Sequence, residues 1–167
     1  MLLSIVLLLS TSPAFAYSSG PNSCSAASHG GSAIKSGDGG HALAHDGGAS
    51  PAPGARLTVT LSHPSTAFKG FILKSDEGST LAVKDATKTQ TVSRCSGALG
   101  HKSAADKTSV EAYLTLPTAA GKTVTVSAEA VRGKMEVYKV TATITTCLLY
   151  TSPSPRDATL SRMPSSA

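Results

Sequence analysis

From Arg56 onward the chain alternates apolar and polar residues with a period of two. In Arg56–Ser62, Leu57, Val59 and Leu61 share one parity, which on an extended strand puts them on one face. The same pattern holds for Val110, Ala112, Leu114 and Leu116 within Thr108–Leu116, and for Val124, Val126, Ala128 and Ala130 within Lys122–Val131. Further strand-like runs at Ala67–Lys74, Thr80–Lys84, Lys88–Arg94 and Lys134–Thr145 are set apart by Gly, Pro, Asp or Lys-rich breaks. In the last run Met135 and Val137 lie on one parity, and Tyr138, Val140, Ala142 and Ile144 on the other. That switch predicts a bulge near Val137 or burial on both faces. Seven short strands without a helical period predict an all-β, antiparallel β-sandwich of immunoglobulin-like or fibronectin-like architecture.

The two ends break the pattern. Met1–Ala16 reads as an export signal: Leu2–Leu9 is apolar but too short to span a bilayer, and Ala14-Phe15-Ala16 supplies a small-x-small cleavage site. At the other end, residues 147–167 (CLLYTSPSPRDATLSRMPSSA) lose the alternation and turn Ser/Pro-rich. This stretch resembles a translated sequencing-adapter read-through, the alternative being a disordered tail. The expected domain is therefore 17–146, and a foreign tail would leave room for further native sequence beyond it. Within that domain, Tyr17 to about Ala55 is rich in Gly, Ser, Ala, His and Pro. Such a segment cannot offset its own ordering entropy and must lie over something else.

Composition narrows the function. The 15 Lys and Arg against 10 Asp and Glu give a net charge of +5, with the basic residues scattered and no run of three. Nucleic-acid binding needs a clustered basic footprint, usually interleaved with aromatics, so it is not expected. With no Trp, the core must rest on Val, Leu, Ala, Phe68, Phe71, Leu73, Tyr113 and Tyr138. Three cysteines, Cys24, Cys95 and Cys147, allow three single pairings. Cys24 with Cys95 is favoured because Cys147 opens the foreign-looking tail, and Cys24 is then the tether for the N-terminal segment.

Particular motifs carry a family resemblance. Pro21, Asn22 and Cys24 after the export signal, His29-Gly30-Gly31, the run Phe68 to Leu73 (FKGFIL), Cys95 after a Thr-rich strand, Leu99-Gly100-His101 and the strand at 109–114 together resemble the reeler, or reelin-type, domain. The likeness covers roughly Tyr17 to Val140 and departs from the family in the Gly/Ala-rich loop from Gly37 to Gly54. It implies a secreted β-sandwich whose first cysteine pins the N-terminal segment. Proteins of this kind include matrix molecules, secreted defence proteins that bind microbial surfaces, and membrane ferric-chelate reductases carrying the domain at their N-terminus.

Catalytic apparatus is not expected. The most enzyme-like group is Asp38, His41, His45 and Asp46, joined by His29. On a helical turn His41 and His45 would share a face and form a weak metal site, but GDGG before and DGG after limit any helix to one turn. No Glu sits beside His41 to act as a zincin base, and no nucleophile elbow or Ser-x-x-Lys pair sits between a strand and a helix, where it would need to be. Asp76-Glu77 falls in a predicted hairpin turn rather than between paired catalytic positions. The expectation is a secreted, non-enzymatic module without cofactor that contacts an extracellular, matrix, glycan or microbial surface through its loops and dispersed lysines, with no stable membrane insertion of its own. The alternative is the N-terminal ectodomain of a longer membrane protein such as a ferric-chelate-reductase-like redox protein.

Overall fold

The computed structural model describes residues 20–21, 23–26, 33–76, 78–133 and 136–148. The expected export signal, the tail beyond Leu148, and Asn22, His29, Gly30, Gly31, Glu77 and Met135 lie outside the described residues.

Strands β1 (Ala42–His45), β2 (Arg56–Ser62), β7 (Ser109–Thr115) and β4 (Thr80–Val83) form one sheet in the order β1-β2-β7-β4. Strands β5 (Thr89–Thr91), β6 (Leu99–His101), β3 (Gly70–Ser75), β8 (Thr123–Gly133) and β9 (Glu136–Thr145) form the other, in the order β5-β6-β3-β8-β9. All pairings within both sheets are antiparallel. The molecule is an all-β, two-sheet antiparallel sandwich.

Its core follows from the alternation. The β2–β7 register sets Leu57 opposite Leu114, Val59 opposite Ala112 and Leu61 opposite Val110. These pairs face Phe71 and Leu73 of β3, Val124, Val126, Ala128 and Ala130 of β8, and Ile144 of β9, with Phe68 beside them. Phe68 and Phe71 meet edge to face with centroids 6.3 Å apart. Burying each ring contributes about 2–3 kcal/mol, the largest single side-chain terms in a core otherwise built from small aliphatics.

Among the described residues, nine strands replace the expected seven. The two additions, β1 and β6, were hidden for different reasons. Ala42–His45 has low strand propensity and reads as loop, yet its pairing with β2 makes it an edge strand. Leu99–His101 is too short to show a period. The third strand begins at Gly70 rather than Ala67, because Phe68 first makes an isolated bridge to Lys107.

An irregularity is present near Val137, where the β8–β9 register shifts between Val131 and Gly133, but its extra residue, Arg132, is on β8. The parity switch in β9 follows from burial on both faces, since the outer side of the five-stranded sheet is covered too. Ile72 and Val137 point outward into a second apolar cluster with Ala26, Val92, Cys95 and Ala98. The N-terminal segment supplies the cover. Cys24 is bonded to Cys95 across a separation of 71 residues. The Ala26 N–H and the Ser25 hydroxyl donate to Glu129 Oε2 at 2.6 and 2.9 Å. Lys74 Nζ lies 3.5 Å from Glu129 Oε1 and donates to the Cys24 carbonyl at 2.8 Å. Pro21 sits on Gly100, where an added Cβ would come within 2.4 Å of its ring. Cys147 is unpaired.

Candidate functional site

Strand alternation sends Arg56, Thr58 and Thr60 of β2, and Glu111 and Tyr113 of β7, to the outer side of the four-stranded sheet, where no segment among the described residues is paired over them as the N-terminal segment is on the other sheet. The register places Thr58 beside Tyr113 and Thr60 beside Glu111. Because Val83 pairs with Ala112, the following residue, Lys84, falls next to Glu111. The Arg56 guanidinium lies 3.7 Å from the Tyr113 ring centroid, and Lys84 Nζ lies 5.6 Å from it. Lys84 also pairs with Glu111 at 2.9 Å and donates to the Thr58 hydroxyl at 3.3 Å. Asp46 closes the row, its Oδ1 accepting the Thr58 N–H at 2.8 Å. Between these groups runs a shallow groove lined by Ala44, His45, Asp46, Thr58, Thr60, Lys84 and Glu111, with a volume of about 290 Å³.

The charges on this face are fixed. The hydrogen bond to Glu111 holds the Lys84 ammonium above its ordinary range, and the Thr58 N–H holds the Asp46 carboxyl below the usual carboxylate range. Both remain charged at neutral pH. A flat surface of hydroxyls, one aromatic ring and fixed opposite charges can hydrogen-bond and stack against a polar ligand without inner-sphere chemistry.

The histidine and aspartate candidates are not gathered into one site. Residues 42–45 form a strand instead of a helical turn, so His41 and His45 are separated by about 13 Å of extended chain and cannot chelate one ion. Asp46 serves as a cap on Thr58. Among the described residues no group of three or more His, Cys, Asp and Glu side chains is placed to hold a metal. His41 is 3% exposed and lies against His63, Phe68 and Tyr138, with ring centroids at 4.9, 5.5 and 6.0 Å. Neither of its ring nitrogens has a hydrogen-bond partner. Burial, followed by the repulsion of His63 and Arg132, pushes its pKa down to about 4 from 6.5 against the opposing pull of Asp38. His63, by contrast, is fully engaged: Nδ1 accepts the Ser65 and Thr66 N–H groups, and Nε2 contacts the Gly39 carbonyl at 3.1 Å. Gly39, at φ 62°, lies flat on the Tyr138 ring, where any side chain would collide.

Other sequence candidates take structural posts. The Asp76 carboxylate accepts the Thr125 N–H at 2.8 Å, stapling the β3–β4 turn to β8, while its backbone carbonyl accepts the Ser79 hydroxyl at 2.7 Å. One of the dispersed lysines is not at the surface. Lys107 is 6% exposed and donates to the carbonyls of Lys69, Ser103 and Ala105 at 3.0, 2.6 and 2.6 Å. Burial lowers its pKa. Tyr113, expected in the core, belongs to the outer face, and Tyr138 is only half-buried.

The Reeler domain family matches residues 22–147. The chain belongs to the reeler family. The Reelin-N domain of F-spondin superposes with a TM-score of 0.63 at 24% identity, over 69% of this chain and 91% of that one. The human F-spondin reeler domain superposes with a TM-score of 0.62 at 23% identity, over 69% and 94%. At such identities these likenesses establish the shared fold. No curated protein matches the chain in sequence. The reeler motifs now have physical roles: Phe68, Phe71 and Leu73 fill the core, Leu99-Gly100-His101 is the strand on which Pro21 rests, and Cys95 holds Cys24. The residues of the open face went unnoticed in the sequence. Their outward parity on β2 and β7 was visible, but the strand register that brings Arg56, Tyr113 and Lys84 together was not. No helix among the described residues is long and apolar enough to cross a membrane.

Proposed function

We propose that this reeler domain is a secreted, non-enzymatic recognition module that docks on an extracellular, matrix or microbial surface through the outer face of its four-stranded sheet. The observation that carries this reading is an asymmetry between the two outer faces. The disulfide-tethered N-terminal segment covers the β6-β3-β8 side of one sheet, while the other sheet presents the Arg56–Tyr113–Lys84–Glu111 row. Ligand recognition falls disproportionately on such exposed polar and aromatic groups held by a rigid scaffold.

Membership of the reeler family supports this reading, and the export signal expected at Met1–Ala16 fits it. Within the sandwich class, the immunoglobulin/fibronectin-like subtype suits two packed sheets of short antiparallel strands. Retention of the purified chain on lipopolysaccharide, on immobilised glycans and on whole microbial and animal cells tests the proposal. Enrichment on at least one surface, lost on Arg56→Ala/Lys84→Ala/Tyr113→Ala substitution, is expected. Failure to enrich on any of them refutes it.

A further inference from the structure

Three of the sandwich's sheet edges end in short strands. β1 and β4 have four residues each and β5 has three, and shortness is one of the ways natural sheets avoid pairing with other chains. The remaining edge, β9, runs ten residues. Among the described residues its cover is limited to one end, where Ile34 bridges Val137 and the Lys35 N–H donates to the Val137 carbonyl at 2.8 Å.

The backbone phase of the uncovered part is fixed. The Val137 carbonyl points away from β8 toward Lys35, whereas the Thr146 N–H points at the Lys122 carbonyl across the sheet, 2.9 Å away. Pairing with β8 is continuous from Val137 to Thr145. Backbone direction alternates along an antiparallel strand, so Lys139, Thr141, Thr143 and Thr145 aim their N–H and C=O groups outward from the edge. The side chains of these residues are exposed on the outer face, while Val140 and Ala142, on the inner side, are half-buried apolar groups at the rim.

We propose that Lys139–Thr145 pairs antiparallel with the same segment of a second copy of this chain, about a two-fold axis at Ala142. This register is self-complementary. Lys139 meets Thr145 and Thr141 meets Thr143 on the outer side, while Val140 meets Ile144 and Ala142 meets itself on the inner side. No like charges oppose one another, and hydroxyl and β-branched pairs of this kind are favourable across strands. The half-buried rim residues gain a cover, and the two five-stranded sheets become one. A slide of the partner toward Glu136 is blocked by the Ile34–Lys35 bridge, which selects the register. Beside the strand, a groove of about 470 Å³ lined by Lys35, Gly37, Asp38, Lys139, Val140 and Thr141 leaves room for an incoming chain.

Sedimentation velocity of the full chain carrying Cys147→Ser, from low to high micromolar concentration, tests the pairing without intermolecular disulfides. A reversible, concentration-dependent dimer is expected. Thr141→Pro removes an outward N–H that bonds nothing within the sheet, so it yields a monomer with an unchanged circular-dichroism spectrum. Thr141→Glu/Thr143→Glu and Thr141→Lys/Thr143→Lys are each monomeric alone and form a heterodimer when mixed, because residue 141 of one copy faces residue 143 of the other. A parent chain that stays monomeric throughout overturns the proposal. So does a dimer that survives the edge substitutions, or charge variants that fail to associate on mixing.

Discussion

Replacing His41 by Phe should stabilise the protein increasingly as the pH falls. His41 is almost wholly buried with both ring nitrogens unpartnered, and a buried polar group without a hydrogen bond costs about 1–3 kcal/mol. The ring already makes edge contacts with Phe68 and lies against Tyr138, which a phenyl group can keep. Its backbone N–H bond to the Asp38 carbonyl at 3.1 Å is unaffected. The pH dependence has a definite sign. His41 titrates at about 4 in the folded protein and near 6.5 when exposed, so between those values the unfolded chain binds a proton that the folded chain refuses. Its protonation penalty is therefore absent above pH 6.5, grows as the pH falls through the window, and is complete below pH 4. The gap amounts to about 3 kcal/mol. The charged and titratable groups that act on the ring, His63, Arg132 and Asp38, are the same in both proteins. Urea unfolding of wild type and His41→Phe at pH 7.5, 6.0, 5.0 and 4.0 measures that difference. The variant's stability advantage should widen by about 2–3 kcal/mol on acidification. Parallel profiles would refute it.

Three further substitutions probe how the sandwich is held together. Glu129→Ala strips the partner from the Ala26 N–H, the Ser25 hydroxyl and Lys74; it should cost about 2–4 kcal/mol, less than a wholly buried pair because Lys74 still reaches water. Hydrogen exchange should then accelerate at residues 23–26, and unchanged exchange there would contradict the fastening role. Lys107→Met leaves the carbonyls of Lys69, Ser103 and Ala105 without their shared donor, for an expected loss of about 2–4 kcal/mol in urea unfolding. Cys24→Ser/Cys95→Ser opens a loop of 71 residues and should lower stability by about 4 kcal/mol, readable as a lower melting temperature in non-reducing buffer.

The alternation of β2 and β7 was legible because each of these strands buries one face against a single core, and that of β8 because the residue it buries under the N-terminal segment is the polar Glu129. Where strands bury both faces or neither, it was not. Val137 and Ile72 point into the cover made by the N-terminal segment, so their parity conflicts with that of the core until the second cluster is seen. β1 is composed of Ala, Leu and His, and only pairing with β2 makes it a strand. The reeler motifs at Phe68–Leu73 and the two cysteines were readable as residues, but the posts of Glu129 and Lys107 were not, since both are charged residues buried by segments far away in sequence. The recognition face depends wholly on register. Arg56, Lys84 and Tyr113 are unremarkable in the chain and become a cluster only when β2, β7 and β4 align.

Recognition by this sheet face requires that the cluster contact the ligand directly. Equilibrium binding of the wild-type chain and of Arg56→Ala/Lys84→Ala/Tyr113→Ala to whichever cell or glycan surface retains the protein, at low and physiological salt, decides it. The expected result is at least tenfold weaker binding by the variant, with an unchanged circular-dichroism spectrum and a reduced salt dependence, as loss of two exposed cations requires. Equal binding by the two proteins would contradict the assignment of recognition to this face.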